Sequence, residues 1–271
     1  MSEGGGPGVL LRVTAVVADR TPYRVKNVIA RTTARSKTVR RILALAHGDL
    51  RHEDVTIPLG AAAGLRFNSG DSVCGYTHGT PEPDVQDALA RELSDGMVAY
   101  DIGANIGFFT MIAARAVGPQ GRVLAFEPLP ENVRWLRHNT DINDFRQIEI
   151  VEAAVGAAAG TVGFESGATD VWARVSDSGE HQVRVLSIDD GIADGSLPVP
   201  DVVKMDIEGA EIEALDGMRE TLARHRPTVI VELHATMEPV RDRLLAAGYG
   251  MERIDPRVPD VNGHLIARHA G

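Results

Sequence analysis

Short continuous apolar runs alternate with stretches whose apolar residues recur every three or four positions. The runs Val98-Ala99-Tyr100-Asp101-Ile102, Val123-Leu124-Ala125-Phe126, Val202-Val203-Lys204-Met205 and Val229-Ile230-Val231 each stop against a glycine, an acid or a turn residue. Such runs are the mark of strands buried on both faces, and the three-and-four spacing between them marks amphipathic helices. The pattern predicts helix 81–93, strand 98–102, helix 106–117, strand 122–127, helix 130–141 and strand 147–152. It resumes with strand 201–206, helix 209–224, strand 228–233 and helix 236–247. Strands and helices in alternation imply an α/β fold with a doubly wound, Rossmann-like parallel sheet. Segments 249–254 and 263–267 predict an antiparallel pair that completes seven strands, and 161–164 with 182–186 predict an added hairpin or excursion carrying Trp172.

The first 78 residues break this rhythm and are assigned to an N-terminal extension, with 79–271 as the main domain. Met1 to Pro7 is Gly-rich and expected to be disordered. Between 21 and 47, Val25, Val28, Ile29, Val39, Ile42, Leu43 and Leu45 stand among basic residues, which predicts one or two amphipathic helices ended by Gly48. From 55 to 73, short strand material interrupted by Gly60, Gly64 and Gly70 predicts a small β-meander folded over the ligand edge of the sheet.

Composition narrows the class. At 271 residues the chain buries a sizeable core without a second catalytic domain. One cysteine, Cys74, rules out an intrachain disulfide, and no basic segment followed by an apolar run marks a leader, so a reducing cytoplasm is expected. No apolar run approaches the roughly 20 residues that cross a bilayer, so no membrane span is expected. Residues 1–60 hold 10 Lys plus Arg against 5 Asp plus Glu, while the rest holds 18 against 33. An acidic main domain argues against a nucleic-acid substrate, since neutralising phosphates supplies most of that affinity. The basic stretch from Arg20 to Arg41 is either a solvated helix face or a contact for an anionic surface or a partner subunit, which makes the extension a candidate homo-oligomer contact.

Candidate chemistry gathers at the strand ends. Asp101-Ile102-Gly103-Ala104-Asn105-Ile106-Gly107 carries a strand into a helix through a glycine-spaced turn, where the backbone can approach a ligand closely. The Gly-x-x-x-Gly spacing lacks the three-glycine dinucleotide fingerprint, so a nicotinamide dehydrogenase fits poorly. A carboxylate ahead of the first glycine suits a cationic ligand, and S-adenosylmethionine carries an ammonium and a sulfonium. Glu127 stands at the next strand end, 20 residues beyond Gly107, where an acid accepts hydrogen bonds from both ribose hydroxyls of a bound nucleoside.

With Lys-Met-Asp-Ile-Glu-Gly-Ala-Glu at 204–211 the pattern becomes specific. Together with the 101–107 turn and Phe126-Glu127-Pro128 followed by Asn132 and Asn139, it resembles the FkbM-type family of S-adenosylmethionine-dependent methyltransferases over residues 79–235. The resemblance implies a class I methyltransferase fold and O-methylation of a hydroxyl on a small saccharide, oligosaccharide or glycolipid. The alternatives are a macrolide or other non-sugar natural product, by O- or N-methylation, and a cofactor-binding module without catalysis.

Asp101, Glu127, Glu152, Asp206 and Glu232 each end a strand, and acids so placed repel one another unless cations or donors meet them. On this reading Asp101, Gly103, Ala104 and Asn105 hold the methionine part, Glu127 the ribose, and Glu152-Ala153-Ala154 the adenine, with ordinary strand-end packing as the alternative for that last turn. Asp206, Glu232 and His234 converge if strands 201–206 and 228–233 are neighbours, because residues two apart share one face of a strand. The trio is either a site for Mg²⁺ or another divalent metal that activates the acceptor hydroxyl, or a metal-free centre with His234 or Asp206 as general base; His234 as a mere helix cap is the third reading. Lys204 in a central strand neutralises the acids or, less readily, acts as a base; Glu208 is a further catalytic candidate, and helix capping accounts for Glu211. Tyr76, His78 and Trp172 are aromatic candidates for stacking on a sugar, with plain packing as the alternative.

Overall fold

The computed structural model describes residues 52–72, 75–164, 181–255 and 262–271. The Gly-rich start, the basic helices of 21–47, Cys74 and Trp172 lie outside the described residues.

Seven strands form the central sheet in the spatial order β11 (Tyr249–Arg253), β12 (Asn262–His269), β10 (Thr228–His234), β9 (Val202–Met205), β3 (Val98–Ile102), β4 (Arg122–Phe126), β5 (Ile148–Val151). Only β12 runs antiparallel to its neighbours, β10 and β11; the other pairs are parallel. The alternation of side chains along each strand feeds two separate cores. Ala99, Val123, Ala125, Val202 and Ile230 face one layer, where Phe109, Met111 and Ile112 of α3 (Phe108–Val117) and Leu136 of α4 (Pro130–Ile142) cover them. Tyr100, Ile102, Leu124, Phe126, Val203, Met205, Val229 and Val231 face the other, against Leu215, Met218, Leu222, Val240 and Leu244. With both faces covered, the central strands are mostly apolar, which is why they stand out in the sequence.

The chain enters the sheet at β3, moves outward through β4 and β5, and then returns to the other side of β3 with β9. This reversal opens a crevice at the carboxyl ends of β3 and β9, the usual ligand position in open α/β sheets.

Three expectations are corrected. The segment expected as a β-meander is a single antiparallel pair, β1 (Val55–Thr56) with β2 (Arg66–Phe67), broken up by the glycine turns between and after the strands. It packs on α4, where Asn139 Oδ1 accepts from the Asn68 amide at 2.8 Å and Asn143 Oδ1 from the Arg66 amide at 2.9 Å, rather than over the ligand edge. The helix expected over 209–224 is interrupted: α6 (Glu211–Asp216) gives way to a turn at 217–218 before helical residues 219–220 lead into a π turn, Thr221–His225. Gly217 sits between them against the Gly156 carbonyl, where a Cβ would stand 2.1 Å away, and the Asp189 carboxylate accepts the Glu220 and Thr221 amides to start the new turn. That Asp189 lies on α5 (Ile188–Ala193), an unexpected short helix whose first turn is capped by Ser187. The expected hairpin is present as β7 (Gly160–Phe164) against β8 (His181–Leu186), and β8 also pairs with β6 (Ala154–Val155). The remaining helices are α1 (Gly75–His78), α2 (Pro83–Glu92) and α7 (Met237–Ala246).

Candidate functional site

A cleft with about 650 Å³ of empty volume, partly open to solvent, lies over the carboxyl ends of β3, β4 and β9. Gly103, Asn105, Glu127, Asn132, Ala153, Ala154, Asp206 and Glu208 are among the residues that line it. Gly103 (φ 81°) is required here, because a Cβ would stand 1.9 Å from the Asp206 carbonyl; only glycine lets the β3 and β9 turns come this close. Asn105 and Glu208 both hold left-handed backbone, φ 50° and 51°, one on either side of the cleft. Non-glycine residues in that region mark strain that the surroundings enforce, commonly beside ligand sites.

Glu127 is buried to 4% exposure at the floor of the cleft. Its Oε2 accepts from the Asn105 amide at 2.8 Å, and Oε1 from the Leu129 amide at 2.9 Å and Asn132 Nδ2 at 3.1 Å. Burial pushes its carboxyl above the ordinary range, and these three donors pull it back. A carboxylate offers about four lone-pair positions, so acceptor capacity is left for a ligand hydroxyl. Ala153 and Ala154 give a small, flat wall, whereas Glu152 turns outward to pair with Arg137 at 2.6 Å. Asp101 is buried behind the turn, where Oδ2 accepts from Thr110 Oγ1 at 2.6 Å and Oδ1 stands 3.6 Å from Lys204 Nζ. Neither Asp101 nor Ala104 is among the residues lining the cleft.

Beyond Asp206 and Glu208 the cleft adjoins a cluster of acids around His234. β9 and β10 are adjacent parallel strands, which places Asp206, just past β9, beside Glu232 and His234. His234 Nε2 faces Glu208 Oε2 at 3.2 Å, Glu232 Oε1 at 3.7 Å and Asp206 Oδ1 at 4.0 Å. Its Nδ1 contacts Glu211 Oε1 at 3.0 Å. The Glu211 hydrogen bond, with help from Glu208, Glu232 and Asp206, raises His234 to about 9 against the opposing effect of burial. Left to itself, the imidazole is therefore protonated at neutral pH.

Helix capping does not suffice for Glu211. It is fully buried, accepts the Gly209 amide at 3.0 Å as a cap would, and also accepts Thr236 Oγ1 at 2.9 Å while fixing the His234 ring. Lys204 is buried between Asp101 and Asp206, at 3.6 and 3.5 Å, with the Phe109 ring 4.8 Å from Nζ. Burial opposes its charge, but Asp206 and Asp101 overcome that and hold its pKa above the ordinary lysine value. A cation held between two carboxylates fits neutralisation of the acids better than a general-base role.

Two residues escaped the sequence reading. His264 stands directly opposite Glu232 in the antiparallel β10–β12 register, and Glu82 reaches the same point from the start of α2. The position of His264 shows only once the strands are paired, and Glu82 has the sequence setting of an ordinary helix start, between Pro81 and Pro83. Tyr76 lies near this centre and packs on Phe108, ring centroids 5.0 Å apart; burial, then Glu82, drives its hydroxyl well above the ordinary tyrosine value.

The family described as "Methyltransferase FkbM domain" matches residues 101–251. Hexuronic acid methyltransferase AglP of Haloferax volcanii is 31% identical over 199 residues, covering 73% of this chain and 81% of that protein. The 31-O-demethyl-FK506 methyltransferase FkbM of Streptomyces tacrolimicus is 28% identical over 177 residues, covering 53% of this chain and 67% of that one. Among solved structures, Methyltransferase FkbM from Methylobacillus flagellatus KT superposes with a TM-score of 0.48 at 22% identity, covering 71% of this chain and 52% of that chain.

Proposed function

The chain belongs to the FkbM family of S-adenosylmethionine-dependent methyltransferases, and from that premise we propose that it O-methylates a hydroxyl of a saccharide, deprotonated at the Asp206–Glu208–Glu232–His234 centre. One observation carries the reading: the cleft that offers a nucleoside its Glu127 carboxylate continues to Asp206 and Glu208, which face His234. The sugar acceptor is supported by the likeness to a hexuronic acid methyltransferase.

The cleft fits the donor. Glu127 is placed to accept ribose hydroxyls, Ala153 and Ala154 leave room for a flat base, and the Gly103–Asn105 turn lines the end that leads to Asp206. The donor supplies a methyl group already activated on a sulfonium. What the chain contributes is orientation of both reactants and removal of the hydroxyl proton, and positioned acid–base groups are worth roughly 10²- to 10⁴-fold.

With His234 raised to about 9, the imidazole is a poor proton acceptor at neutral pH, so the hydroxyl proton passes to a carboxylate of the cluster or, where a metal would make the hydroxyl acidic, to solvent. The geometry favours the metal. His234 Nε2 and oxygens of Asp206 and Glu232 lie within 4.8 Å of one another, and Nδ1 is held by the buried Glu211. A carboxylate behind the far nitrogen is the habitual support of a metal-bound histidine. A divalent ion there would be held by His234, Asp206 and Glu232 and would lower the pKa of an acceptor hydroxyl.

The test is methyl transfer from labelled S-adenosylmethionine to a panel of neutral sugars, uronic acids and macrolide alcohols. Asp206→Ala and His234→Ala are expected to abolish turnover and leave donor affinity intact. EDTA is expected to remove activity that Mg²⁺ or Mn²⁺ restores; activity indifferent to EDTA assigns the proton to a carboxylate alone. Full turnover in both alanine variants would exclude this centre.

A further inference from the structure

We propose a second divalent-cation site, formed by Glu82, Glu232 and His264 and joined to the first through Glu232. The proposal rests on the metal reading of the His234 centre, and the two are tested separately below.

The two oxygens of Glu232 serve different histidines. Oε1 stands 3.7 Å from His234 Nε2, and Oε2 stands 3.2 Å from His264 Nε2. Glu82 Oε2 completes the second group, also 3.2 Å from His264 Nε2. Within each trio the candidate ligand atoms lie within 4.8 Å of one another, and Glu232 is the residue they share. A carboxylate split in this way is the arrangement of a bridging ligand between two ions.

The second trio has a further property. Glu82 Oε2 and His264 Nε2 are both shut off from solvent and stand 3.2 Å apart, close enough to attract each other but without the alignment of a good hydrogen bond. Ligand atoms gathered within 4.8 Å of one another without aligned hydrogen bonds suit the surroundings of an ion, whereas an ion triad built for a protonated histidine would align N–H with oxygen. Backbone strain supports the placement: Glu82 reaches inward from a left-handed conformation, φ 42°, without capping α2 through its side chain.

Charge makes the same demand. Glu82, Asp206, Glu208, Glu211 and Glu232 meet Lys204 and two imidazoles, so carboxylates outnumber cations even with both rings protonated. Partly buried charge of one sign needs a partner. Carboxylate oxygens with one imidazole at each position suit Mn²⁺, Mg²⁺ or Zn²⁺. Two ions bridged by Glu232 would present two Lewis-acid positions to an acceptor with adjacent oxygens, and would let an anionic sugar approach an otherwise repulsive edge.

The experiment is Mn²⁺ binding to the full chain, followed by calorimetric stoichiometry and by electron paramagnetic resonance. Two ions per chain with an exchange-coupled spectrum are expected, because bridged ions sit roughly 3.5 to 4 Å apart. His264→Ala and the size-preserving His264→Gln should each reduce this to one ion with an uncoupled signal, and circular dichroism and melting temperature verify the fold. Glu232→Gln should weaken both sites. One ion in the wild type, unaffected by either His264 variant, overturns the second site and leaves the first standing. One ion lost in His264→Gln but kept in His234→Ala overturns the first and leaves the second. Failure to bind Mn²⁺ at all overturns both.

Discussion

Glu127 shows how much a single side chain is asked to do. Its carboxylate satisfies the Asn105 and Leu129 amides and Asn132, and so ties the β3 and β4 turns together before any ligand arrives. In the proposed donor complex its spare acceptor capacity takes ribose hydroxyls. Glu127→Ala is therefore expected to weaken S-adenosylmethionine by about 1.5 to 3 kcal/mol, the range for hydrogen bonds to a charged group. Calorimetry reads this directly, and unchanged affinity would remove Glu127 from the site. Because the same substitution strands two amide donors, the melting temperature must be followed in parallel. Asp101, read from the sequence as a donor contact, and Glu211, read as a helix cap, both prove to be tied within the protein: Thr110 and Lys204 engage Asp101, and Gly209, Thr236 and His234 engage Glu211.

At the scale of elements, α6 and α7 are clamped by Asp216, which receives Arg243 through Nε at 3.0 Å and a terminal nitrogen at 2.8 Å, with Arg219 as a second partner. Arg243, then Arg219, lower the Asp216 carboxyl from 3.8 to about 2 against the effect of burial. A folded-state pKa below the unfolded value stabilises the fold above pH 3.8 and ceases to as pH falls toward 2. Part of the clamp is solvent-exposed, so about 1 to 2 kcal/mol is expected at neutral pH. Urea unfolding of Asp216→Asn should show that loss at pH 7 and a much smaller difference near pH 2. Equal differences at both would mean that the clamp acts through packing and not through charge.

For the whole molecule, the cleft proposed for the donor draws on the turns after β3, β4 and β9 together with Ala153 and Ala154, so a ligand bound there would tie the middle of the sheet to the β6 side. A ligand that binds only the folded state at 100 times its Kd adds about 2.7 kcal/mol of stability. For a chain of this size that corresponds to a rise of roughly 5 to 10 °C in Tm. S-adenosylhomocysteine should produce such a shift in wild type and a smaller one in Glu127→Ala. No shift at saturating ligand would argue against donor binding in this cleft. Among the described residues no helix is long and apolar enough to cross a membrane.

The alternation of apolar runs and amphipathic stretches determined the α/β class, the seven-stranded sheet and most strand positions, because strands buried on both faces need continuous apolar residues and leave a local signal. The turns at 101–107, 126–128 and 204–211 were legible because glycine and acid stand there at a fixed spacing, and Gly103 does bring the β3 and β9 turns together at the Asp206 carbonyl. The meeting of Asp206 with Glu232 and His234 was foreseen from the two-residue spacing on one strand and the neighbouring strand, but tertiary structure alone decided which further groups join them. His264 reaches Glu232 only because β12 pairs antiparallel with β10, and Glu82 arrives from 150 residues away along the chain. It also turned Glu152 out to Arg137 and broke the helix after Asp216 where Gly217 meets the Gly156 carbonyl. Contacts between segments distant in sequence leave no periodicity behind, so neither the shared carboxylate nor the convergence of two histidines on it can be read before the strands are laid side by side.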